Sequence, residues 1–503
     1  MSDDAFDRSV IEAFRRFLET VNRSEAAGDA LTPLGRRVQD HLGADLRLVP
    51  LVTEAVASHR LVDADIALSE LAVDGELVGV AAGGNREHES LPAMLQNRWA
   101  GFDVGAVDYT LAPSGPGLRR RIVAFGLRLF VFEGEPVAVL QRVANRMHGR
   151  ESATLEVLAR ESQVAERLVA AVRRLMQERS VLRGQVLTFT GGGDFGEEAG
   201  SMFVRREPIP ADDVVLPEGV LATIRRHVLG IAEHREVLLA AGRHLKRGVL
   251  LYGPPGTGKT LTVRHLVGAA DRTTVVLLTG PGIAFIREAT DLARAMQPAL
   301  VVLEDIDLVA MERGRFGPQP LLFAVLDALD GLDGDADVTF LMTTNRVDVL
   351  ERALAQRPGR VDLAVEVPRP GAEARRALFA VYARGLPLSP PAVAAAAEQA
   401  EGVTASFAKE LMRRVVLGAA VDGRDVADHD LGRALDGMLA DGAELTRALL
   451  GMERDGAADE DDGTGRFAVV PTAEFGWTAY APGGPSVVPA DAPLEFTVEE
   501  EAD

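Results

Sequence analysis

Eight consecutive residues, Gly253-Pro254-Pro255-Gly256-Thr257-Gly258-Lys259-Thr260, have the types and spacing to hold a polyphosphate. They fit G-x-x-x-x-G-K-[ST] at every fixed position, follow the apolar run 248–252 and lead into a helical pattern from Leu261 to Ala270. A strand, a glycine-rich turn and a helix N-terminus in that order turn backbone N–H groups inward and set a helix dipole that favours negative charge. In such a cradle Lys259 reaches the β- and γ-phosphates, the Thr260 hydroxyl sits on Mg²⁺, and Leu261 completes the nucleotide contact. Only three lysines (Lys246, Lys259, Lys409) stand among 54 Lys and Arg. A lysine here therefore points to a need for a compact point charge rather than a planar fork. The expected ligands are a nucleoside triphosphate and Mg²⁺; the alternative is a chance glycine-rich turn.

A second constellation lies 45 residues beyond Lys259, where the apolar strand pattern 299–303 runs into Glu304-Asp305-Ile306-Asp307. Phosphoryl transfer needs one carboxylate on the Mg²⁺ shell and a neighbour that polarises the attacking water. The usual order is Asp then Glu. Here it is reversed, so Glu304 takes the metal side and Asp305, one methylene shorter, takes the base role. The alternative is that these acids cap the following helix. A further strand pattern, 338–343, ends in polar residues up to Asn345, whose amide suits positioning of the γ-phosphate or the lytic water. Arg357-Pro-Gly-Arg360 follows, displaying two arginines suited to a neighbouring subunit's site.

GPPGTGKT, LEDID, TTNRVDVLERAL and RPGRVD, in this order, resemble the AAA family of ATPases over residues 207–440, under half of the chain. The resemblance implies an α/β P-loop NTPase domain with a parallel sheet and a C-terminal helical lid, in a homo-oligomeric ring, usually a hexamer. Carried over, Lys259 and Thr260 bind phosphate and Mg²⁺, Glu304 and Asp305 fill the acidic motif, Asn345 is the sensor, and Arg357 and Arg360 are arginine fingers. The Glu-Asp order and RPGRVDL resemble the subgroup that includes mitochondrial respiratory-complex assembly proteins. Residues 402–406 fall where the lid's nucleotide-sensing turn lies. No HExxH occurs, which excludes the branch bearing a zinc protease. The central loop, around 280–291, is shorter than in threading members and offers a single aromatic, Phe285. That side chain either grips substrate or packs in the core.

The elements that must position these residues read as follows. Alternating strand and helix patterns after residue 247 argue for a parallel sheet covered on both faces. The patterns 373–386, 392–399, 406–421 and 428–439 are helical. Residues 1–200 read as an α+β partner or substrate domain, with helices over 10–18, 38–56 and 152–183, strands at 77–81 and 127–132, and a loop at 113–117. The adjoining Arg119-Arg120-Arg121 reads as a solvated basic patch. Residues 191–200 read as a flexible acidic stretch. The expected domains are 1–200, 201–370 (nucleotide-binding), 371–440 (lid) and 441–503, an acidic disordered tail. The tail from 453 holds 13 acidic and two basic residues, with Phe475, Trp477, Tyr480 and Phe496 interspersed. A net charge of −21 argues against nucleic acid and anionic membranes. The absence of cysteine excludes disulfides and thiolate sites. An acidic N-terminus and no run of membrane-spanning length lead to the expectation of a cytoplasmic protein. Two readings follow. One is a ring ATPase that remodels or unfolds protein clients chosen by residues 1–200. The other is a nucleotide-gated assembly or regulatory protein that does little mechanical work.

Overall fold

The computed structural model describes residues 31–81, 86–96, 101–145, 149–190, 200–307, 334–346 and 361–440, with a few isolated positions between them. The expected helix at 10–18, the acidic stretch from 191, the arginines Arg357 and Arg360, and the tail 441–503 lie outside these residues.

The first unit is an antiparallel sheet of seven strands. They are β1 (Leu51–Val56), β2 (Glu76–Ala81), β3 (Asp103–Gly105), β4 (Asp108–Gly115), β5 (Leu118–Phe132), β6 (Glu135–Arg142) and β7 (Ala153–Ala159). The order is β1-β7-β6-β5-β2-β3, with β4 paired to the first half of β5. Helices α1 (Pro33–Leu42) and α3 (Leu91–Gln96) close one face around Leu34, Met94, Phe125 and Leu140. Helices α2 (Leu61–Leu71) and α4 (Ser162–Glu178) close the other around Leu68, Val139, Val157 and Leu168. The result is a three-layer sandwich. Charge is buried inside it in opposite-sign pairs. Arg128 lies 2.7 Å from Asp65 and donates to Gln141 at 2.7 Å, while Arg142 pairs with Glu156 and donates to the Glu89 carbonyl at 2.9 Å.

Three local expectations differ from this structure. The helix expected over 38–56 is α1, ended by Gly43 in the left-handed region (φ 61°), followed by strand β1. Gly43 and Pro50 are the breaks that helical spacing alone passed over. The helix expected from 152 begins at Ser162, because Ala153–Ala159 is β7, buried on both faces, and such a run fits helix and strand periods alike. The loop expected at 113–117 shrinks to the turn Pro116-Gly117, since 113–115 belong to β4.

The second sheet is β14-β10-β13-β12-β11-β8-β9, formed by β8 (Val186–Thr190), β9 (Gly200–Val204), β10 (Arg247–Tyr252), β11 (Thr274–Thr279), β12 (Ala299–Glu304), β13 (Val338–Thr344) and β14 (Leu363–Glu366). From β14 to β8 every pairing is parallel, and β9 closes the edge antiparallel. The sheet thus begins at 186, before the boundary expected at 200. The central strands β12 and β13 are buried at every position, as a parallel strand covered on both faces must be. The lead-in helix α5 (Val220–Arg225) runs into one wide turn (Arg226–Gly230) and breaks at His234. Arg206 locks the lead-in down. Its guanidinium donates to the Val267, Ala270 and Thr273 carbonyls at 2.7, 2.5 and 2.9 Å, capping the C-terminal end of helix α6 (Lys259–Ala269).

Between β11 and helix α7 (Ile286–Ala295) the chain makes only a tight 3₁₀ turn, Gly280–Phe285. Phe285 is half-buried and stacks on Phe189 of β8 with ring centroids 6.1 Å apart. His59, from the first unit, meets Phe189 in a T-shaped arrangement with ring centroids 5.7 Å apart. Helices α8 (Ala372–Tyr382), α9 (Pro390–Gln399), α10 (Ala405–Val421) and α11 (Asp428–Leu439) form a separate bundle with its own core around Phe379, Phe407, Leu411 and Leu435.

Candidate functional site

In an open parallel sheet, ligands bind beyond the carboxyl ends of the strands, at the point where strand order reverses. Here β10 sits between β13 and β14, so that point is the end of β10, which is where Gly253–Thr260 begins. The turn has a backbone only glycine tolerates. Gly253, Gly256 and Gly258 have φ of 144°, 77° and 107°, and a Cβ on Gly253 would lie 2.3 Å from the Val367 carbonyl oxygen. Pro254 and Pro255 stiffen the first half, and Thr257 Oγ1 donates back to the Pro254 carbonyl at 3.0 Å.

Lys259 opens α6 and is 6 % exposed. Its ammonium donates to the Gly253 and Pro254 carbonyls at 2.7 and 2.8 Å. Burial pulls its pKa down to about 8, against the attraction of Asp305 and Asp307. A partly desolvated cation whose hydrogen bonds among the described residues go to two neutral carbonyls is poised to move to an anion. Thr260 and Leu261 occupy the next two positions of the helix.

The acids arrive from β12. Glu304 is its last residue, buried and in register with Thr279. Asp305 follows with φ 52°, a left-handed conformation unusual for a residue with a side chain. Two bonds, one from β13 and one from Asn345 just beyond it, hold it there. Its N–H donates to Thr343 Oγ1 at 3.0 Å, and its carboxylate accepts from the Asn345 amide at 3.1 Å. Burial and the neighbouring Asp307 raise its pKa, with Lys259 and the Asn345 hydrogen bond opposing. Asp307, 4 % exposed, accepts from Thr344 Oγ1 at 2.9 Å and from the Asn345 N–H at 3.1 Å. The structure therefore gathers Lys259, Asp305 and Asn345 around one point and fixes Asn345 through Asp307. Asp307, Thr343 and Thr344 were not singled out from sequence, although their place at the ends of adjacent parallel strands was the available signal.

The helical bundle contributes from above. Thr404 caps α10, and the Ser406 N–H donates to the Gly256 carbonyl at 3.1 Å. A Cβ on Gly256 would lie 2.9 and 3.0 Å from the Thr404 and Ser406 hydroxyl oxygens. The turn at 402–406 thus rests on the phosphate-loop glycine.

Among the described residues no group of three or more His, Cys, Asp or Glu is arranged to hold a metal. A hydroxyl and one carboxylate suit Mg²⁺, which takes most of its ligands from phosphates and water. No helix among the described residues is long and apolar enough to cross a membrane.

Residues 249–369 match the sequence model of the "ATPase family associated with various cellular activities (AAA)". An "ATP-dependent zinc metalloprotease FtsH 3" of Symbiobacterium thermophilum is 32% identical over 230 residues, 43% of this chain and 36% of that protein. A "Proteasome-activating nucleotidase" of Methanospirillum hungatei is 32% identical over 266 residues, 49% of this chain and 63% of that protein. A "26S proteasome regulatory subunit 8" of Dictyostelium discoideum is 34% identical over 172 residues, 31% of this chain and 42% of that protein. The chain thus spans between about a third and two thirds of the length of these relatives.

Proposed function

We propose that this chain, which carries an AAA ATPase domain at residues 249–369, hydrolyses ATP and uses the cycle to remodel protein partners. The observation that carries the reading is the single cluster of Lys259, Asp305 and Asn345 at the reversal point of the sheet. On nucleotide binding, Lys259 exchanges the Gly253 and Pro254 carbonyls for β- and γ-phosphate oxygens, opening the loop that it now holds closed. Mg²⁺, when bound at Thr260 and Glu304, neutralises charge developing on the phosphate oxygens. Asp305 accepts a proton from the attacking water as its oxygen bonds to the γ-phosphorus and the bond to ADP breaks. Asn345 holds the Asp305 carboxylate at the angle this requires. Arg357 and Arg360 act across a subunit boundary, and the assembly is a ring, as the family resemblance implies. Ser406 on Gly256 couples the state of the loop to the helical bundle.

A second reading, in which ATP gates the binding of a partner with little mechanical work, draws on Phe285. That aromatic, which from sequence could either grip a threaded chain or pack in the core, is half-buried, in contact with Phe189 and packed on the core of the domain. Residues 1–200 select the partner in both readings. Steady ATP turnover measured with and without an unfolded protein separates them. Stimulation of several-fold supports remodelling, an unchanged slow rate supports gating, and no turnover with Mg²⁺ present contradicts both.

A further inference from the structure

The β4–β5 hairpin is buried at its base, at Ile122, Val123 and Phe125, and exposed toward its turn. Asp108–Gly115 pairs with Leu118–Phe125, and the two strands turn at Pro116-Gly117. Within this ribbon Leu111 pairs with Arg121 and Pro113 with Arg119, so these four side chains share one face. Tyr109 lies on the same face, and the Arg121 guanidinium sits 4.5 Å over its ring. Leu118 and Arg120 occupy the other face. Tyr109, Leu111 and Leu118 are 46 %, 56 % and 64 % exposed, and all three arginines are exposed. A protein of net charge −21 therefore displays three consecutive arginines beside exposed apolar side chains on one ribbon.

The same chain carries the complementary composition. Residues 453–503 hold 13 acidic and two basic residues, together with Phe475, Trp477, Tyr480 and Phe496. We propose that the ribbon formed by Tyr109, Leu111 and Leu118–Arg121 is the dock for this chain's own acidic C-terminal segment. Carboxylates pair with the guanidiniums while Phe475, Trp477 or Tyr480 cover Leu111, Leu118 and the Tyr109 face. Thirty-four residues separate Ala440 from Phe475, and the 35 Cα-to-Cα steps span up to about 115 Å when extended. A domain assembly of some 400 residues has a radius of gyration of roughly 22 Å, so the segment reaches the ribbon wherever it lies. Tethering also decides the competition. An attached ligand acts at an effective concentration up to the mM range, whereas nucleic acid must approach a strongly acidic protein from dilute solution. Docked, the segment hides the basic ribbon from acidic stretches of other proteins.

The chain has no cysteine, so two can be introduced and labelled cleanly. Pro116→Cys at the ribbon turn and Ala479→Cys in the tail carry a donor and an acceptor in the full-length protein. The expected result is efficient energy transfer at low salt that falls by about half or more toward 1 M salt, where the Debye length is about 3 Å. The triple change Arg119→Glu, Arg120→Glu, Arg121→Glu should abolish the low-salt signal at an unchanged melting temperature. If that variant melts early, Arg119→Gln, Arg120→Gln, Arg121→Gln serves in its place. Transfer that ignores the arginines or the salt overturns the proposal. So does transfer seen only when singly labelled copies are mixed, which would make the occupant a second molecule's tail. Arginine-dependent binding of a labelled single-stranded oligonucleotide at 0.15 M salt, with no transfer between ribbon and tail, would assign the ribbon to nucleic acid instead.

Discussion

In the antiparallel sheet, Arg128 is buried against Asp65 and Gln141, and Arg142 against Glu156. In the parallel sheet, Lys259 is buried against two carbonyls and Asp305 beside a second carboxylate, Asp307. The first arrangement matches each charge with its opposite, with only the Arg142 Nε, among the described residues, left without a hydrogen-bond partner in these pairs. The second gives the ammonium two carbonyls at hydrogen-bond distance and leaves Asp305 and Asp307 to attract it through space. It also crowds those two carboxylates of like sign, a tension that on the proposed function phosphate and Mg²⁺ would relieve. Buried charge is thus a poor marker of function by itself, while its mismatch is a good one.

The comparison is broken most easily at its structural end. Asp65→Ala strands Arg128 and should cost roughly 3–5 kcal/mol in denaturant unfolding, with turnover per folded molecule unchanged. The double change Asp65→Leu, Arg128→Met should restore most of that stability. At the other end, Asp305→Asn should keep nucleotide binding and lower turnover by a factor on the order of 10². Normal turnover in that variant would move the base role to Glu304.

The protonation of Lys259 sharpens the contrast. Its pKa in the free protein is about 8, and phosphate raises it. Below that value the lysine is already charged and affinity should not depend on its titration. Above it, binding must take up a proton, so affinity should fall by about tenfold per pH unit. Calorimetry in buffers of different ionisation heat should find uptake near one proton at pH 9 and little at pH 7. On the acid side, the raised pKa of Asp305 should bring the loss of turnover to higher pH than an ordinary aspartate would. Smallest is the effect at the bundle contact. Gly256→Ala meets the Thr404 and Ser406 hydroxyls and a left-handed φ, and should cost about 1–2 kcal/mol. It should loosen nucleotide binding rather than abolish it.

The parallel sheet was legible in the sequence because a motif fixed its register: once Gly253–Thr260 was placed, each strand pattern ended where its site residue had to be. Asp428–Leu439 matched the expected helix to the residue. The antiparallel unit offered no such anchor. Ala153–Ala159 fits two periodicities, and pairing with β1 and with β6, where Arg142 meets Glu156, selects the strand. Val186–Thr190 joins the second sheet through β11, a contact across about ninety positions that no local pattern records. Phe285 was undecided between grip and core, and the packing partner that bears on it, Phe189, lies on that same unforeseen strand.

The central claim is that Lys259 is held in reserve for phosphate. Titration of ATP and Mg²⁺ into the wild-type protein and into Lys259→Ala at pH 7 tests it directly. The variant should fold with an unchanged or slightly higher melting temperature, since a desolvated cation is removed, and should lose affinity by about 10²-fold, the scale of a charge-assisted contact. Equal affinity in the two proteins would contradict it.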